Sequence, residues 1–324
     1  MQAAWYTRNG DVDVLEVGEL PTPEPGPSEV RVRLATSGIN PSDVKSRRSR
    51  PLGGHGLIVP HSDGAGVIDA VGLGIPASRI GERVWLWNAQ WLRPLGTAAQ
   101  AIALPSEQAV RLPEGVDFDV GACLGIPLMT ALHAVRLLGS VLGRTVLVTG
   151  AANAVGQYAT QLLAQAGATV IGTVGSEEKA QLATQAGARH TLNYKRESLA
   201  GRLIALTSGR GVDAVVDMDF SSTAALLETP AVRPHSLIVA YGSNEHVLRF
   251  PFRAMMRNSI VLRPFLVYDL LAPDRQACIE GINALLERAT LTHRIGARLP
   301  MTAVAEAHRL VEAGHSGKVL LYFD

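Results

Sequence analysis

The stretch "VLVTGAANAVGQ" at 146–157 has the residue pattern of a strand, a tight turn and a helix. In a dinucleotide-binding protein, such a turn presents backbone N–H groups and a helix N-terminus to a pyrophosphate. The G-x-G-x-x-G spacing falls on Ala151, Asn153 and Gly156. Alanine is small enough for the turn, asparagine tolerates left-handed backbone geometry best among non-glycine residues, and Gly156 allows close helix–strand packing. Alone, this pattern leaves open both cofactor binding and a small-residue packing turn.

The end of the following strand indicates which nicotinamide cofactor the turn would serve. NAD enzymes carry Asp or Glu there, about 20 residues on, to bind the ribose 2′-hydroxyl. This chain has "GTVGSEEK" at 172–179, which places Ser176 near that point and Lys179 one turn into the next helix. A hydroxyl and a lysine suit a 2′-phosphate, so the sequence favours NADPH over NADH. The alternative is that Ser176 only caps the helix and Lys179 is a solvated surface charge.

Alternating strands and helices surround this turn and must position it. Across 144–243, apolar strands separated by amphipathic helices predict right-handed crossovers and a parallel sheet. The first hundred residues are β-rich instead, and "EVRVRLATSGIN" at 29–40 alternates charged and apolar side chains at period two. A chain of 324 residues exceeds the usual size of a single core, so two domains are expected.

Composition excludes several classes of protein. The net charge of +1 argues against a nucleic-acid partner, and the two cysteines, Cys123 and Cys278, are too few for a disulfide framework or a four-thiolate zinc site. No uncharged apolar stretch reaches the ~18 residues of a membrane span. The first residues lack the apolar segment of a signal peptide. These features predict a soluble cytoplasmic protein with no membrane partner.

Seven motifs running nearly end to end carry a family resemblance. They are "SGINPSDVKSR", "SDGAGVIDAVG", "GACLGIPLMTA", "VLVTGAANAVG", "GTVGSEEK", "NY" and "SGKVLL". Together they resemble the zinc-independent medium-chain dehydrogenases/reductases, in the quinone oxidoreductase group that includes zeta-crystallin. The resemblance implies an α/β fold class, with a doubly wound parallel Rossmann sheet in a central NADPH-binding domain at 123–262. It also implies a β-rich GroES-like catalytic domain built from 1–122 and 263–324, and a cleft between the two.

The same resemblance implies the residues around NADPH. Asn40 and Thr130 would lie near the nicotinamide and position the reactants for catalysis. The backbone of Ala152, Asn153, Ala154 and Val155 would meet the pyrophosphate, and Ser176, Lys179 and Tyr194 would surround the adenosine phosphate. The nicotinamide side would be lined by Tyr241, Gly242, Ser243, Phe265, Leu266 and Val267, and Lys318 would close the site.

The chain departs from the family pattern at a few positions. The family turn has two adjacent glycines where this chain has Asn153 and Ala154. Lys45 stands where some members have a tyrosine, and Leu128 and Met129 stand where an aromatic residue is frequent. The substrate pocket is therefore the part of the resemblance that transfers least.

The chemistry that follows needs no metal. No cysteine lies near Asn40, His61 is interpreted as a core or loop residue, and the Tyr-x-x-x-Lys pair of short-chain dehydrogenases is missing. A quinone takes hydride directly, and Asn40, Thr130, Lys45 or Tyr241 would donate hydrogen bonds to the resulting anion. The sequence thus predicts an NADPH-dependent quinone oxidoreductase. The alternatives are an enoyl/alkenal reductase acting on α,β-unsaturated carbonyls and a cofactor-binding protein with little catalysis.

Two segments bear on partners. Family members commonly pair near the edge of the Rossmann sheet, and the basic and apolar residues of 248–265 lie there, so a homodimer is expected. The basic segment "KSRRSR" at 45–50 has three interpretations: a solvated loop, a site for anionic substrate or cofactor phosphates, and an RNA contact. The solvated loop is favoured, because charge runs are usually surface features and no aromatic residues are interleaved.

Overall fold

A large β-sheet lies in each of the two units of the computed structural model, which describes residues 1–323. Met1–Pro127 and the chain from Ile282 onward form the first unit, and Leu128–Gly281 forms the second. The strands are β1 (Gln2–Trp5), β2 (Glu16–Glu19), β3 (Glu29–Ile39), β4 (Asp63–Val71), β5 (Arg83–Leu86), β6 (Ala101–Pro105), β7 (Ala109–Arg111), β8 (Thr145–Val148), β9 (Thr169–Val174), β10 (His190–Asn193), β11 (Val212–Asp217), β12 (Val232–Ala240), β13 (Val261–Pro264), β14 (Ile295–Pro300) and β15 (Lys318–Tyr322). The helices are α1 (Pro41–Ser49), α2 (Phe118–Gly121), α3 (Met129–Leu138), α4 (Ala154–Gln165), α5 (Glu177–Gln185), α6 (Leu199–Leu206), α7 (Phe220–Thr223), α8 (Phe252–Asn258), α9 (Ala272–Arg288) and α10 (Val304–Glu312).

The sheet of the second unit has six parallel strands in the order β10-β9-β8-β11-β12-β13. Its central strands are continuously apolar because helices cover both faces, and Val146, Leu147 and Val148 are all buried. The strand order reverses between β8 and β11, which is where ligands bind in doubly wound sheets, outside the carboxyl ends of the strands. The predicted parallel sheet is confirmed.

The first unit combines both ends of the chain in a mostly antiparallel sheet. Its order is β14-β15-β3-β4-β5-β7, with β6 also paired to β3 and with β1 and β2 as a separate pair. The last residues of β3 pair with the first residues of β4 and β15, Gly38 with Asp63 and Ile39 with Val319. This register places Asn40, Asp63 and Lys318 at one end of the sheet, although they are far apart in sequence.

Among residues 1–323, no helix is both long and apolar enough to cross a bilayer.

Candidate active site

The turn after β8 bends at Gly150, where φ is +63°. This backbone angle favours glycine, and a Cβ at Gly150 would also overlap the Met218 sulfur unless that side chain moved. Asn153 has φ −78° and ψ 166°, an extended conformation at the N-cap of α4. The expectation that Asn153 meets a need for left-handed geometry is wrong, because the positive φ lies three residues earlier.

Close packing at Gly156 holds the turn against α4. A Cβ at Gly156 would overlap the Gly150 carbonyl and lie 2.9 Å from the Ala151 Cα, which confirms the expected helix–strand contact. The N–H groups of Gly150 and Ala151 donate to the Thr173 hydroxyl and carbonyl, each at 3.0 Å. Ala152 is buried in the same turn. The turn is therefore bound to the neighbouring strand β9.

The first turn of α4 presents backbone donors. The Asn153 N–H already donates within the turn, and the Gln157 N–H begins the intrahelical ladder at 2.8 Å from the Asn153 carbonyl. The N–H groups of Ala154 and Val155 precede that ladder, at the positive end of the helix dipole. The Asn153 side-chain nitrogen lies 3.1 Å from the Met218 sulfur, so it extends toward the end of β11. Ala154 and Val155 are thus the backbone donors best placed for an anion.

Gly175 separates β9 from α5, and two side chains from the end of β10 close on it. A Cβ at Gly175 would lie 3.0 Å from the Tyr194 hydroxyl and 3.4 Å from the Lys195 Cε. Ser176 Oγ accepts the Lys179 N–H at 3.3 Å, so it caps α5 as the alternative interpretation predicted. The Tyr194 side chain is 55% exposed. A hydroxyl, a phenol and an ammonium therefore surround the end of β9.

Sequence reasoning missed Lys195. Its N–H donates to the Asn193 side-chain oxygen at 3.1 Å in the turn that ends β10. Asn193 pairs with Val174 across the parallel β9–β10 ladder, which brings the following lysine beside Gly175. The lysine directly after the "NY" motif was the available signal, but its position depends on the strand register.

A buried carboxyl fixes the ends of β8 and β11 side by side. Asp217 Oδ1 accepts the Thr149 hydroxyl at 2.8 Å and the Asp219 N–H at 3.0 Å, and the Thr223 hydroxyl donates to the other oxygen. Burial raises the pKa of Asp217, and these three donors oppose that rise. The role of this carboxyl is to hold the loops after the two strands in place.

Aromatic side chains gather after β12 and β13. The Phe265 N–H donates to the Ala240 carbonyl at 3.0 Å, and the Phe265 ring lies edge-on to His133 at 4.7 Å and 6.4 Å from Tyr241. Thr130 is buried one turn before His133 on α3. Burial raises the pKa of Tyr241, so its phenol is a neutral hydrogen-bond donor. The structure thus places His133 and Tyr241 beside Phe265, with Thr130 one turn before His133 on α3.

The other residues expected on the nicotinamide side follow the same two strands. A Cβ at Gly242 would overlap the Met218 carbonyl, so the loops after β11 and β12 approach closely. The Ser243 hydroxyl donates to the carbonyl of Glu245 at 2.8 Å. After β13, Leu266 is 47% exposed and Val267 is buried. Leu266 is therefore the most exposed residue of the segment 265–267.

In the first unit, Asn40 is held on three sides. Its backbone N–H donates to Asp43 Oδ2 at 2.7 Å, at the start of α1. Its side-chain nitrogen donates to Asp63 Oδ2 at 2.9 Å, and its side-chain oxygen accepts the Lys318 ammonium at 2.7 Å. Lys318 also pairs with Asp63 at 2.5 Å. All four side chains are buried, so the Asn40 amide has one fixed orientation.

This cluster contains two carboxyls and one ammonium. Burial raises the pKa of Asp43 to about 7, opposed by the Asn40 N–H and the Lys318 charge. Burial also raises the pKa of Asp63, although the Lys318 charge and hydrogen bonds from Lys318 and Asn40 oppose it. A proton on Asp43 leaves the Asp63–Lys318 pair electrically balanced. The cluster therefore changes charge near neutral pH.

Lys318, expected to close the site, reaches this cluster through a gap at Gly38. A Cβ at Gly38 would lie 2.5 Å from the Lys318 Cε and would overlap the Ala122 carbonyl. The absence of a side chain at Gly38 therefore leaves room for the lysine stem. In the structure, Lys318 supports Asn40 from within the fold.

Comparison with known proteins identifies the family. Residues 26–114 match the Alcohol dehydrogenase GroES-like domain, and residues 154–287 match the Zinc-binding dehydrogenase family. A quinone oxidoreductase of Pseudomonas aeruginosa is 33% identical over 311 residues, which cover 94% of this chain and 93% of that protein. The chain belongs to the medium-chain dehydrogenases/reductases of the quinone oxidoreductase type. The predicted family and GroES-like fold are confirmed.

Two further relatives extend the likeness over the whole chain. A 2-haloacrylate reductase of a Burkholderia species is 31% identical over 323 residues, which cover 95% of each chain. The solved structure of a mycobacterial protein in complex with NADPH is 27% identical, with a TM-score of 0.89, covering 99% of this chain and 100% of the other. Together with the family match, these relatives show that the chain is an oxidoreductase.

In this oxidoreductase most of the basic segment at 45–50 lies in α1, so the segment is not a loop. Arg47 is fully buried and pairs with Glu312, and Arg48 lies 3.3 Å from the same carboxylate. The Arg50 guanidinium stacks 4.3 Å over the Trp91 ring. The favoured solvated-loop interpretation is wrong for Arg47, which is buried, whereas Arg48 and Arg50 are exposed although each has a partner.

His61, interpreted from the sequence as a core or loop residue, is fully buried in a loop. Its Nδ1 lies 2.9 Å from the Ser37 hydroxyl, and its Nε2 lies 2.9 Å from the Nε2 of His308 on α10. Burial lowers the pKa of both imidazoles, that of His308 to about 3, so both are neutral. Sequence reasoning missed His308, which lies 247 residues away. Among residues 1–323, no three His, Cys, Asp or Glu side chains come together as a metal-binding group.

Proposed function

We propose that this oxidoreductase uses NADPH to reduce quinones, with hydride passing directly to the acceptor. One observation carries the proposal, namely which groups lie at the carboxyl ends of the parallel strands. There the Gly150 turn and the N-terminus of α4 follow β8. One strand over, Ser176, Tyr194 and Lys195 surround Gly175, where an NAD enzyme would carry an acid.

The phosphate groups of NADPH fit this edge. Ala154 and Val155 would donate their N–H groups to the pyrophosphate, since both lie in the first turn of α4. Tyr194, Lys179 and Lys195 would bind the 2′-phosphate, because a phosphate accepts charge-assisted hydrogen bonds that a ribose hydroxyl cannot match. Ser176 would contribute its hydroxyl beside the N-terminus of α5.

NADPH supplies a hydride, and the protein must stabilise the anion that the reduced acceptor becomes. In the second unit, the Tyr241 phenol and the Thr130 hydroxyl would act as neutral donors near Phe265. In the first unit, the second N–H of the Asn40 amide would act as a donor of fixed direction. Fixed donors stabilise developing charge without reorganisation, so positioning dominates and water can supply the proton.

An α,β-unsaturated carbonyl is the second candidate acceptor. The specific observation in its favour is the 2-haloacrylate reductase relative at 31% identity, since a 2-haloacrylate is an α,β-unsaturated carboxylate. Hydride addition to such a compound also produces an anion that needs hydrogen-bond donors. A third candidate is a protein that binds NADPH with little turnover.

We also propose a homodimer. Strand β13 is at the edge of the six-stranded sheet, so its outer backbone groups are available to a second copy. The neighbouring apolar side chains Phe252, Met256 and Val261 are exposed. The chain is proposed to act in a reducing compartment such as the cytoplasm, because Cys123 and Cys278 are both free thiols.

Steady-state NADPH oxidation with panels of quinones and of enones tests the proposal. Turnover of quinones supports it, and turnover of enones alone assigns the alkenal reductase function. Tight NADPH binding without turnover of either panel assigns the binding role. Neither NADPH nor NADH producing a thermal shift would overturn the cofactor assignment itself. Light scattering tests the dimer, and a monomer mass would overturn it.

A further inference from the structure

Arg275 occupies the first turn of α9 with only 8% of its surface exposed. Its guanidinium turns back onto the chain that precedes the helix. Nη2 donates to the carbonyls of Tyr268 at 3.0 Å and Leu270 at 3.5 Å, and Nη1 donates to the carbonyl of Val267 at 3.3 Å. One side chain thus bonds two carbonyls of the short 3₁₀ turn Val267–Asp269 and the carbonyl of Leu270, the residue directly after it.

The same guanidinium reaches helix α3. Its Nη1 lies 3.7 Å from the sulfur of Met129, the residue before Thr130. The arginine therefore joins the segment after β13 to the start of α3, two elements from which the proposed function draws its nicotinamide-side residues.

Arginine suits this position for a physical reason. Its planar guanidinium carries five N–H donors in a rigid fork, so it can bond several carbonyls at once, whereas a lysine ammonium is a compact point charge. Carbonyl oxygens at the end of a helical turn carry partial negative charge, which stabilises a buried cation. The carbonyls of the turn therefore gain hydrogen-bond donors, and the buried guanidinium gains acceptors.

We propose that Arg275 is a positioning residue that holds Phe265, Leu266 and Val267 in the conformation that receives the nicotinamide half of NADPH. The upstream end of this segment is fixed by the Phe265 N–H, which donates to Ala240, and by the His133 ring against Phe265. Arg275 fixes the downstream end and keeps Val267 buried while Leu266 remains exposed. The inference rests on the proposed function, because it concerns the same site.

The experiment compares two ligands on purified Arg275→Met, Arg275→Lys and wild-type protein. NADPH has a nicotinamide half, and 2′-phospho-ADP-ribose lacks the nicotinamide ring. Arg275→Met should lower kcat for the best acceptor on the order of 10²-fold, the cost of misplacing a reacting group by about 1 Å. It should weaken NADPH binding while leaving 2′-phospho-ADP-ribose binding unchanged. Arg275→Lys should recover part of the kcat loss, because it keeps the cation.

Arg136→Met is the matched control, since Arg136 is exposed on α3 and the substitution removes the same charge. It should behave as wild type. Equal weakening of both ligands by Arg275→Met would overturn the inference in favour of a general role in folding. Wild-type kcat and NADPH affinity in Arg275→Met would overturn it as well, while leaving the proposed function intact. Failure of the wild-type protein to bind NADPH would instead overturn the proposed function and this inference together.

Discussion

The Lys318 ammonium lies 2.7 Å from the side-chain oxygen of Asn40, although the two residues are 278 positions apart. Asp63 accepts from both residues, so the Asn40 amide cannot flip without breaking two buried hydrogen bonds. The pairing of β3 with β4 and β15 creates this relationship. Lys318 therefore serves the site by fixing the direction of another side chain.

Replacing Lys318 should destabilise the fold. Lys318→Met leaves the Asp63 carboxylate buried without its cation, and breaking a buried ion pair in this way costs about 3–5 kcal/mol. Urea unfolding at pH 8 measures the loss. The double variant Asp63→Asn with Lys318→Met should regain much of the stability, since it removes the Asp63 carboxylate that the single variant leaves without its cation. Equal stability of the single and double variants would contradict this explanation.

Asp43 should make stability fall as the pH rises. Its folded pKa of about 7 lies above the unfolded value near 3.8, so the folded state holds the proton more tightly. The resulting stabilisation is fully present below pH 3.8 and is lost as the pH rises through 7. Asp43→Asn should remove this slope from unfolding free energies measured between pH 4 and 8. An unchanged slope would show that Asp43 does not carry the proton.

Titration of His308 should have the opposite effect, so that stability falls as the pH falls. Its folded pKa of about 3 lies below the unfolded value near 6.5, so its stabilisation is present above pH 6.5 and is lost as the pH falls toward 3. His308→Gln, which does not titrate, should unfold less readily in acid relative to its own stability at pH 8. His315→Gln is the control, because His315 is exposed. Identical acid sensitivity in both variants would exclude His308 as the cause.

Lys195 should discriminate between the two nicotinamide cofactors. Lys195→Ala removes an ammonium beside Gly175 and should raise the KM for NADPH about tenfold, since a hydrogen bond to a charged group contributes about 1.5–3 kcal/mol. The KM for NADH should change little. Lys179→Ala should behave in the same way. Arg189→Ala is the control, because it removes an equal charge directly before β10, at the end of the strand away from Tyr194 and Lys195. It should change the KM for neither cofactor. A parallel rise for NADH would contradict the phosphate role.

The elements of the second unit follow from local sequence. Apolar strands alternate with capped amphipathic helices, so the parallel sheet and the turn after β8 are predictable from spacing alone. The backbone conformation inside that turn cannot be predicted from spacing. The positive φ lies at Gly150, and the side chain that faces Gly150 is Met218, which directly follows β11 and lies 68 positions away.

The residues that support the site depend on tertiary contacts. Arg47 is part of a basic run but is buried against Glu312, which lies 265 positions away. Lys195 lies beside Gly175 only through strand register, and His308 meets His61 only through tertiary packing. Arg275 bonds the turn just before its helix, but its contact with Met129 spans 146 positions. Motif spacing finds residues that act at strand ends, whereas buried charges and their partners become visible only in the folded chain.

The most direct test of the central claim is NADPH oxidation by purified protein with a simple quinone, followed at 340 nm in parallel with NADH. We expect quinone-dependent turnover with a clear preference for NADPH, and loss of that preference in Lys195→Ala. Turnover that prefers NADH, or quinone reduction by neither cofactor, would contradict it.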